Sequence, residues 1–338
     1  MSFTPVKTTS STLLKFLFSL LPRAMTSGSS KKSKFTFPKT MIELGYNFDE
    51  NGELKKIDKS TGDLTKNPFE FHISDDADHN QKHYEALGEA ITNYVYDLLI
   101  EEGLDKVRVP PVQPNSDPTL SSFIFTSPEY EKSEKLMVLI HGSGVVRAGQ
   151  WARSIIINKD LKSGTQLSYI RKAKDEGYGV IVMNTNDNTR DGVRIPGSES
   201  PESHAESVWK QCVVSSQARH IAIVAHSYGG VVTAHLASQF EADFLSRVFA
   251  IGFTDSVHSS LQSSLPTKLY THLLKISRNW VSSERPLDSP LEESTSSDDV
   301  TRVSAGTRKH ELTSWTAFPS VFEFFASQLT KRADKSEL

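Results

Sequence analysis

Cysteine is almost missing from this 338-residue chain. Cys212 is the only one, which excludes a disulfide framework but leaves the compartment open. Long apolar runs are missing too, and no stretch approaches the length that a membrane-spanning helix needs. There is no excess of one charge: the formal net charge is -3, so no whole-protein field favours nucleic acid. Basic residues are not interleaved with aromatics in a way that would build a nucleic-acid face. No internal repeat and no Walker-type lysine loop occur. Gly142-Ser143-Gly144-Val145-Val146-Arg147 lacks the third glycine of a dinucleotide loop. No H-x-x-x-H or C-x-x-C spacing supports a metal at His141, His226 and Asp255. The sequence thus implies neither cofactor nor metal. What remains is a chain with 37% hydrophobic residues, enough to fill one large α/β core with polar ends.

The first 42 residues hold seven Lys or Arg and no acid. Within them Leu13-Leu14-Lys15-Phe16-Leu17-Phe18-Ser19-Leu20-Leu21 is a short apolar block. Three readings stand: a signal-peptide core, part of a mitochondrial leader, or an unstructured tail. Lys15 and the lack of a small-x-small cleavage site weigh against the first. Ser30-Lys31-Lys32-Ser33-Lys34 is either a nuclear import signal or a solvated basic run. We expect residues 1–40 to be a basic targeting or unstructured segment, residues 41–330 a single domain, and residues 331–338 a tail.

Inside that domain, short apolar runs and stretches of helical spacing alternate. Residues 45–62 read as a hairpin turning at Asn51-Gly52. The stripe Tyr84, Leu87, Ile91, Val95 and Leu98 predicts a helix over 79–102 that stops at Gly103. Strands are expected over 122–126, 135–140, 179–183, 247–253 and 301–305. Helices are expected over 165–176 and 201–215, within 261–280, and from Phe318 to Leu329. Residues 184–203 read as a polar surface excursion, and residues 282–300 as a mobile loop. The alternation predicts an α/β fold, a mostly parallel sheet with helices on both faces.

The stretch that organises the rest is Arg219-His220-Ile221-Ala222-Ile223-Val224-Ala225-His226-Ser227-Tyr228-Gly229-Gly230. An apolar, partly β-branched run leads to a serine, then two glycines, then helical spacing through Val231, Ala234, Leu236, Ala237 and Phe240. This is the order of a nucleophile elbow, with Ala225 where G-x-S-x-G has its first glycine. The alternative is an ordinary strand-to-helix turn with Ser227 as the helix N-cap.

Acyl transfer needs a nucleophile with a base, a group that orients the base, and donors for the oxyanion. The expected chain order is Ser, acid, His. Ser227, Asp255 and His310 supply it, each following a predicted strand. Asp288 and Glu284 are alternative acids, and His258 is an alternative base. Tyr228 N–H is one oxyanion donor. The loop His141-Gly142-Ser143-Gly144 follows an earlier strand and offers Gly142 and Ser143 N–H as the others, unless it is only a glycine turn.

The run Leu136-Met137-Val138-Leu139-Ile140-His141-Gly142-Ser143-Gly144, continued to Trp151, resembles the Arb-two domain family, the Argonaute-binding proteins and their animal cotranscriptional-regulator relatives. So do Tyr84-Glu85-Ala86-Leu87-Gly88-Glu89, Ala225-His226-Ser227-Tyr228-Gly229-Gly230, Thr254-Asp255-Ser256-Val257-His258, Arg302-Val303-Ser304-Ala305-Gly306-Thr307 and His310-Glu311-Leu312-Thr313-Ser314-Trp315. The resemblance spans about residues 40–330. It implies an α/β-hydrolase-like fold, a candidate nucleophile at Ser227, and roles beside Argonaute, chromatin and splicing factors. It also implies a nuclear or cytoplasmic address. The tail Lys335-Ser336-Glu337-Leu338 resembles an endoplasmic-reticulum retention signal with Ser where Asp is usual, which keeps that compartment open. Two functions follow: a serine hydrolase acting on an unidentified ester or thioester, or an adaptor that keeps the fold without turnover.

Overall fold

The central strands form because their residues are apolar on both faces. In β6 (Lys135–Ile140), Leu136, Val138 and Ile140 join one buried cluster while Met137 and Leu139 join another. In β10 (His220–His226), Ile221, Ile223 and Ala225 face the first cluster and Ala222 and Val224 the second. A strand buried on both sides has to lie inside a sheet covered by helices, and that is the arrangement found.

The computed structural model describes residues 35–111, 117, 119–258, 265–291 and 300–336. The apolar and basic N-terminal motifs, the stretch 292–299 and the last two residues of the tail lie outside this set. From Phe37 onward the chain forms one compact unit. It begins with a three-stranded antiparallel sheet: β1 (Tyr46–Phe48), β2 (Leu54–Ile57) and β3 (Leu64–Pro68). The expected hairpin is β1 with β2, extended by β3. Helix α1 (Ala77–Glu101) packs on this sheet through Leu87, Ile91 and Val95. Asp76 caps it by accepting from the N–H groups of Asp78 and His79, and Gly103 ends it at φ 80°.

The main sheet follows: β4 (Asp105–Val109), β5 (Ser122–Thr126), β6, β7 (Tyr178–Val182), β10, β11 (Val248–Thr254), β12 (Ser277–Val281) and β13 (Thr301–Ser304). Two short strands, β8 (Thr189–Arg190) and β9 (Val193–Arg194), pair separately. The spatial order is β4-β5-β7-β6-β10-β11-β12-β13. β5 is antiparallel to both its neighbours, and every other pairing is parallel. Counted along the sheet, this is the strand order of the α/β-hydrolase fold. Helices α2 (Arg153–Asn158), α3 (Leu161–Gly164) and α4 (Leu167–Asp175) follow β6, and α5 (Pro201–Val208) runs into a π turn at Trp209–Val213. Then come α6 (Gly229–Gln239), α7 (Glu241–Ser246), α8 (Thr267–Ile276), α9 (Thr313–Thr316) and α10 (Phe318–Ser336). Side chains of α5 to α8 cover one face of the sheet, and those of α4 and α10 cover the other.

Three expectations need correction. The strand Asp105–Val109 was not foreseen, nor was Ser277–Val281, which sits inside a stretch expected to be partly helical. The helix expected over 201–215 is found, but only its first part, to Val208, is α-helical, and it continues as a π-helix to Val213. The stretch 184–203 is a surface excursion only in part: residues 191–194 are exposed, whereas Asn184, Thr185, Asp187 and Ser198 are buried, as is His204 just beyond it. Polarity did not mean exposure here because these groups satisfy one another. Ser122 Oγ donates to Asp187 Oδ2 at 2.7 Å, and Ser198 Oγ donates to Asp187 O at 2.9 Å. His204 Nε2 accepts from Asn184 N–H at 3.2 Å, so its proton sits on Nδ1 and points to Ser198 Oγ at 2.9 Å.

Full burial holds the His204 imidazole neutral, with its pKa lowered from 6.5 to about 3. Between those values the unfolded chain takes up a proton at this position and the folded chain does not, so acidification destabilises the fold. The expected loss from His204 at pH 5 is about 2 kcal/mol. Urea titrations between pH 7 and pH 5 test this. His204→Gln should flatten the pH dependence by close to one proton, and an unchanged slope would exclude the assignment.

Candidate active site

Ser227 follows β10 in a conformation that L-residues avoid, with φ 52°. Its N–H donates to Thr254 O at 3.1 Å, and its carbonyl accepts from Gly230 N–H and Val257 N–H, each at 3.1 Å. The side chain caps nothing: Tyr228 occupies the N-cap position of α6, without a side-chain cap bond. The N-cap alternative therefore does not describe this turn. The two glycines are needed for close approach. A Cβ on Gly229 would lie 2.8 Å from Ile140 O, and one on Gly230 would lie 2.7 Å from Val257 O. Helix and strand ends thus meet backbone to backbone around the serine.

Asp255 follows β11, also in the left-handed region at φ 46°. His310 opens a 3-10 turn, His310–Leu312, after β13. The two side chains meet: His310 Nδ1 donates to Asp255 Oδ2 at 2.8 Å, across a separation of 55 residues. Asp255 Oδ1 accepts from Ser282 N–H at 3.1 Å. The Asp255 side chain is 15% exposed and the His310 side chain 42%, so the acid is enclosed while the base reaches solvent. Burial works to raise the Asp255 pKa. The hydrogen bonds from His310 and Ser282 outweigh it and hold the carboxyl below its ordinary value. With its proton donated from Nδ1, a neutral His310 keeps the Nε2 lone pair available as a base. No hydrogen bond joins Ser227 Oγ to His310 among the described residues.

The other candidate acids are engaged elsewhere. Asp288 Oδ1 accepts from Trp280 Nε1 at 2.8 Å and from Ser320 Oγ at 2.6 Å. Glu284 pairs with Arg308. His258 is stacked on Phe253 with ring centres 4.8 Å apart, and its Nδ1 lies 3.4 Å from Ser256 Oγ. Among the described residues no cluster of three or more His, Cys, Asp or Glu could hold a metal ion.

The loop after β6 lies against the serine. A Cβ on Gly142 would be 3.0 Å from Ser227 Cβ. The N–H groups of Gly142, Ser143 and Tyr228 donate to no acceptor among the described residues. Unused donors beside a serine are what an oxyanion requires. The loop is pinned from behind by residues that sequence reasoning missed. Asn186 Nδ2 donates to Gly142 O at 2.9 Å and to Val146 O at 3.2 Å. Asn184 Oδ1 accepts from Ala148 N–H at 2.9 Å. Their only signal was the run Asn184-Thr185-Asn186-Asp187-Asn188 at the end of a strand.

Two further histidines flank the site, both held neutral by burial. His141 has its pKa lowered to about 4 and His226 to about 3, the charge of His310 being the second cause for His226. The His226 and His310 rings lie 4.7 Å apart at 35°. Two surface grooves, which share Lys275, Gln328 and Lys331, are lined by residues such as Ser277 and Ile276 before and at the start of β12, away from the strand end that carries Asp255.

Strand order, the strained serine and the acid–histidine pair at the strand ends define an α/β-hydrolase-like domain. The Arb2 domain family matches residues 37–287. The cotranscriptional regulator ARB2A of Mus musculus is 41% identical over 348 residues, covering 86% of this chain and 81% of its own. The FAM172 family protein homolog Y75B8A.31 of Caenorhabditis elegans is 38% identical over 300 residues, covering 86% of this chain and 88% of its own. The chain belongs to the Arb2 domain family. Among solved structures, a histone deacetylase from Saccharomyces cerevisiae superposes with a TM-score of 0.52 at 15% identity, over 72% of this chain and 98% of that one. That likeness concerns the fold.

The strain at Ser227 has a measurable consequence. A left-handed conformation costs an L-residue about 1–2 kcal/mol, which glycine escapes at the expense of a more flexible unfolded chain. Since the Ser227 side chain makes no hydrogen bond among the described residues, Ser227→Gly should be more stable than Ser227→Ala by about 1 kcal/mol. Equal urea midpoints for the two variants would show an unstrained turn.

Proposed function

We propose that this chain is a serine hydrolase acting on an ester or thioester. The observation that carries the reading is the 2.8 Å hydrogen bond between His310 and Asp255, formed at the strand ends that also present Ser227. A serine hydroxyl is a poor nucleophile at neutral pH and needs a base aligned in one tautomer. In the proposed cycle His310 Nε2 takes the Ser227 proton as Oγ attacks the acyl carbon. Asp255 accepts from Nδ1–H throughout and stabilises the imidazolium. The negative oxygen of the tetrahedral intermediate is held by the N–H groups of Tyr228 and of Gly142 or Ser143. Collapse breaks the bond to the leaving group, which takes its proton from His310. Water, deprotonated by His310, then cleaves the acyl-serine and regenerates the free enzyme.

A second reading rests on a separate observation, the description of the relatives as cotranscriptional regulators. Under it the domain is an adaptor that holds Argonaute, chromatin or splicing partners in gene regulation, and the serine turns nothing over. Fold alone is compatible with both.

Labelling with a fluorophosphonate probe separates them. The hydrolase reading expects the wild-type chain to be labelled and Ser227→Ala and His310→Ala to lose the label. Asp255→Asn should keep the fold but slow labelling by about 10³–10⁴-fold, since the amide selects the wrong imidazole tautomer. A folded wild-type chain that takes no label would overturn the hydrolase reading and leave the adaptor.

A further inference from the structure

The three elements that carry Ser227, Asp255 and His310 share one buried residue. Thr254 ends β11 and is fully buried. Its carbonyl accepts from Ser227 N–H at 3.1 Å, and His226 Nδ1 donates to it at 2.9 Å. Its side chain turns to the third element: Thr254 Oγ1 and Ser314 Oγ share a 2.7 Å hydrogen bond, 60 residues apart. Ser314 is fully buried as well, and its carbonyl accepts from Tyr169 OH at 2.7 Å. Thr313 Oγ1 donates back to His310 O at 2.8 Å, so the turn bearing the imidazole is tied to the residues that Ser314 anchors. Asp255 is bonded covalently to Thr254. One residue is thus linked to the serine by its carbonyl, to the acid by its peptide bond and to the histidine turn by its hydroxyl.

The geometry points to Thr254, with Ser314 as its partner, as a positioning residue that sets how far the His310 imidazole stands from Asp255 and from Ser227. The reasoning is steric and local. His310 is held at its carboxylate by one hydrogen bond, and its ring rests on His226. Its side chain is 42% exposed, so packing alone encloses only part of it. The backbone of the turn therefore needs a fixed attachment to the sheet, and a hydroxyl pair at the end of β11 supplies one that runs beneath the site. A misplacement of about 1 Å at reacting atoms can cost about 10²-fold in rate. The inference rests on the triad reading for its consequence, but its structural content can be measured without turnover.

Thr254→Val alone would leave the Ser314 hydroxyl buried without a partner, and its melting temperature should fall. The double variant Thr254→Val/Ser314→Ala removes both hydroxyls, so its melting temperature should return towards that of the wild type. The test compares the double variant with the wild type by proton NMR. The readout is the downfield imidazole N–H signal of the His310–Asp255 hydrogen bond, assigned by its loss in His310→Gln. The expected result is a wild-type signal that broadens or disappears in the double variant while the fold persists, with fluorophosphonate labelling slowed by tenfold or more. A double variant that keeps the wild-type signal would reduce the hydroxyl pair to a packing detail, and a wild type without the signal would overturn the inference equally. If the signal behaves as expected and the wild type takes no label, the hydrolase reading fails and the positioning role of Thr254 stands.

Discussion

Register between three parallel strands is the constraint on which the site depends. β10 pairs with β6 so that Ala225 lies opposite Ile140, and with β11 so that Ala225 lies opposite Phe253 and His226 opposite Thr254. The chain leaves all three strands at one level. Gly142, Ser227 and Asp255 are therefore brought to one edge by backbone pairing before any side chain contributes. A slip of one residue would exchange the side chains of two different buried clusters, so the separate packing of Leu136, Val138 and Ile140 on one face and of Met137 and Leu139 on the other favours a single register. Hydrophobic burial in the middle of the sheet is in this sense the force that aligns the polar groups at its end.

The edge itself is built from groups that stability alone would not select. Ser227 and Asp255 both stand in the left-handed region, at φ 52° and 46°. His226 and His141 are buried without charge, and His141 Nε2 has no partner among the described residues. Each feature opposes folding, and the surrounding contacts must overdetermine it. The carbonyls of Ile140, Thr254 and Val257 close tightly around the serine turn, and the glycines at 229 and 230 are what let them do so.

How much of this was legible in the sequence depended on the range of each signal. The strands at 135–140, 178–182, 220–226 and 248–254 are apolar runs buried on both faces, and such runs announce themselves locally. Ser227, Asp255 and His310 could be read because each stands just beyond a strand. β12 was hidden because Leu269, Leu273 and Ile276 carry helical spacing up to its first residue, and its own Ser277 and Asn279 are polar yet buried. β4 was hidden because an edge strand with charged residues at 105, 106 and 108 lacks the apolar signature. The stretch 184–203 misled in part: Asp187 is buried because one of its partners, Ser122, lies 65 residues away in sequence, and Ser198 is buried with it. Asn186, Thr254 and Ser314 act through bonds spanning 44 to 60 residues. No local pattern encodes such pairs, so only the folded chain reveals them.

The same reasoning weighs the two functions. An adaptor needs a surface whose shape and charge fit a partner, and it gains nothing from a strained serine whose hydroxyl bonds to none of the described residues. Nor does it need the backbone donors of Gly142 and Tyr228 unused among the described residues beside that serine, or an enclosed carboxylate aligned on a half-exposed imidazole. Binding to another protein could be served as well by a relaxed turn and a satisfied loop. Chemistry on an acyl group could not, because the nucleophile must stay clear of its own hydrogen bonds and the oxyanion donors must stay empty until charge develops. The description of the relatives as cotranscriptional regulators and the proposed chemistry at Ser227 do not exclude one another, because a fold can serve either. On the proposed hydrolase reading, turnover uses the strand ends around Ser227 and leaves the other faces of the domain uninvolved.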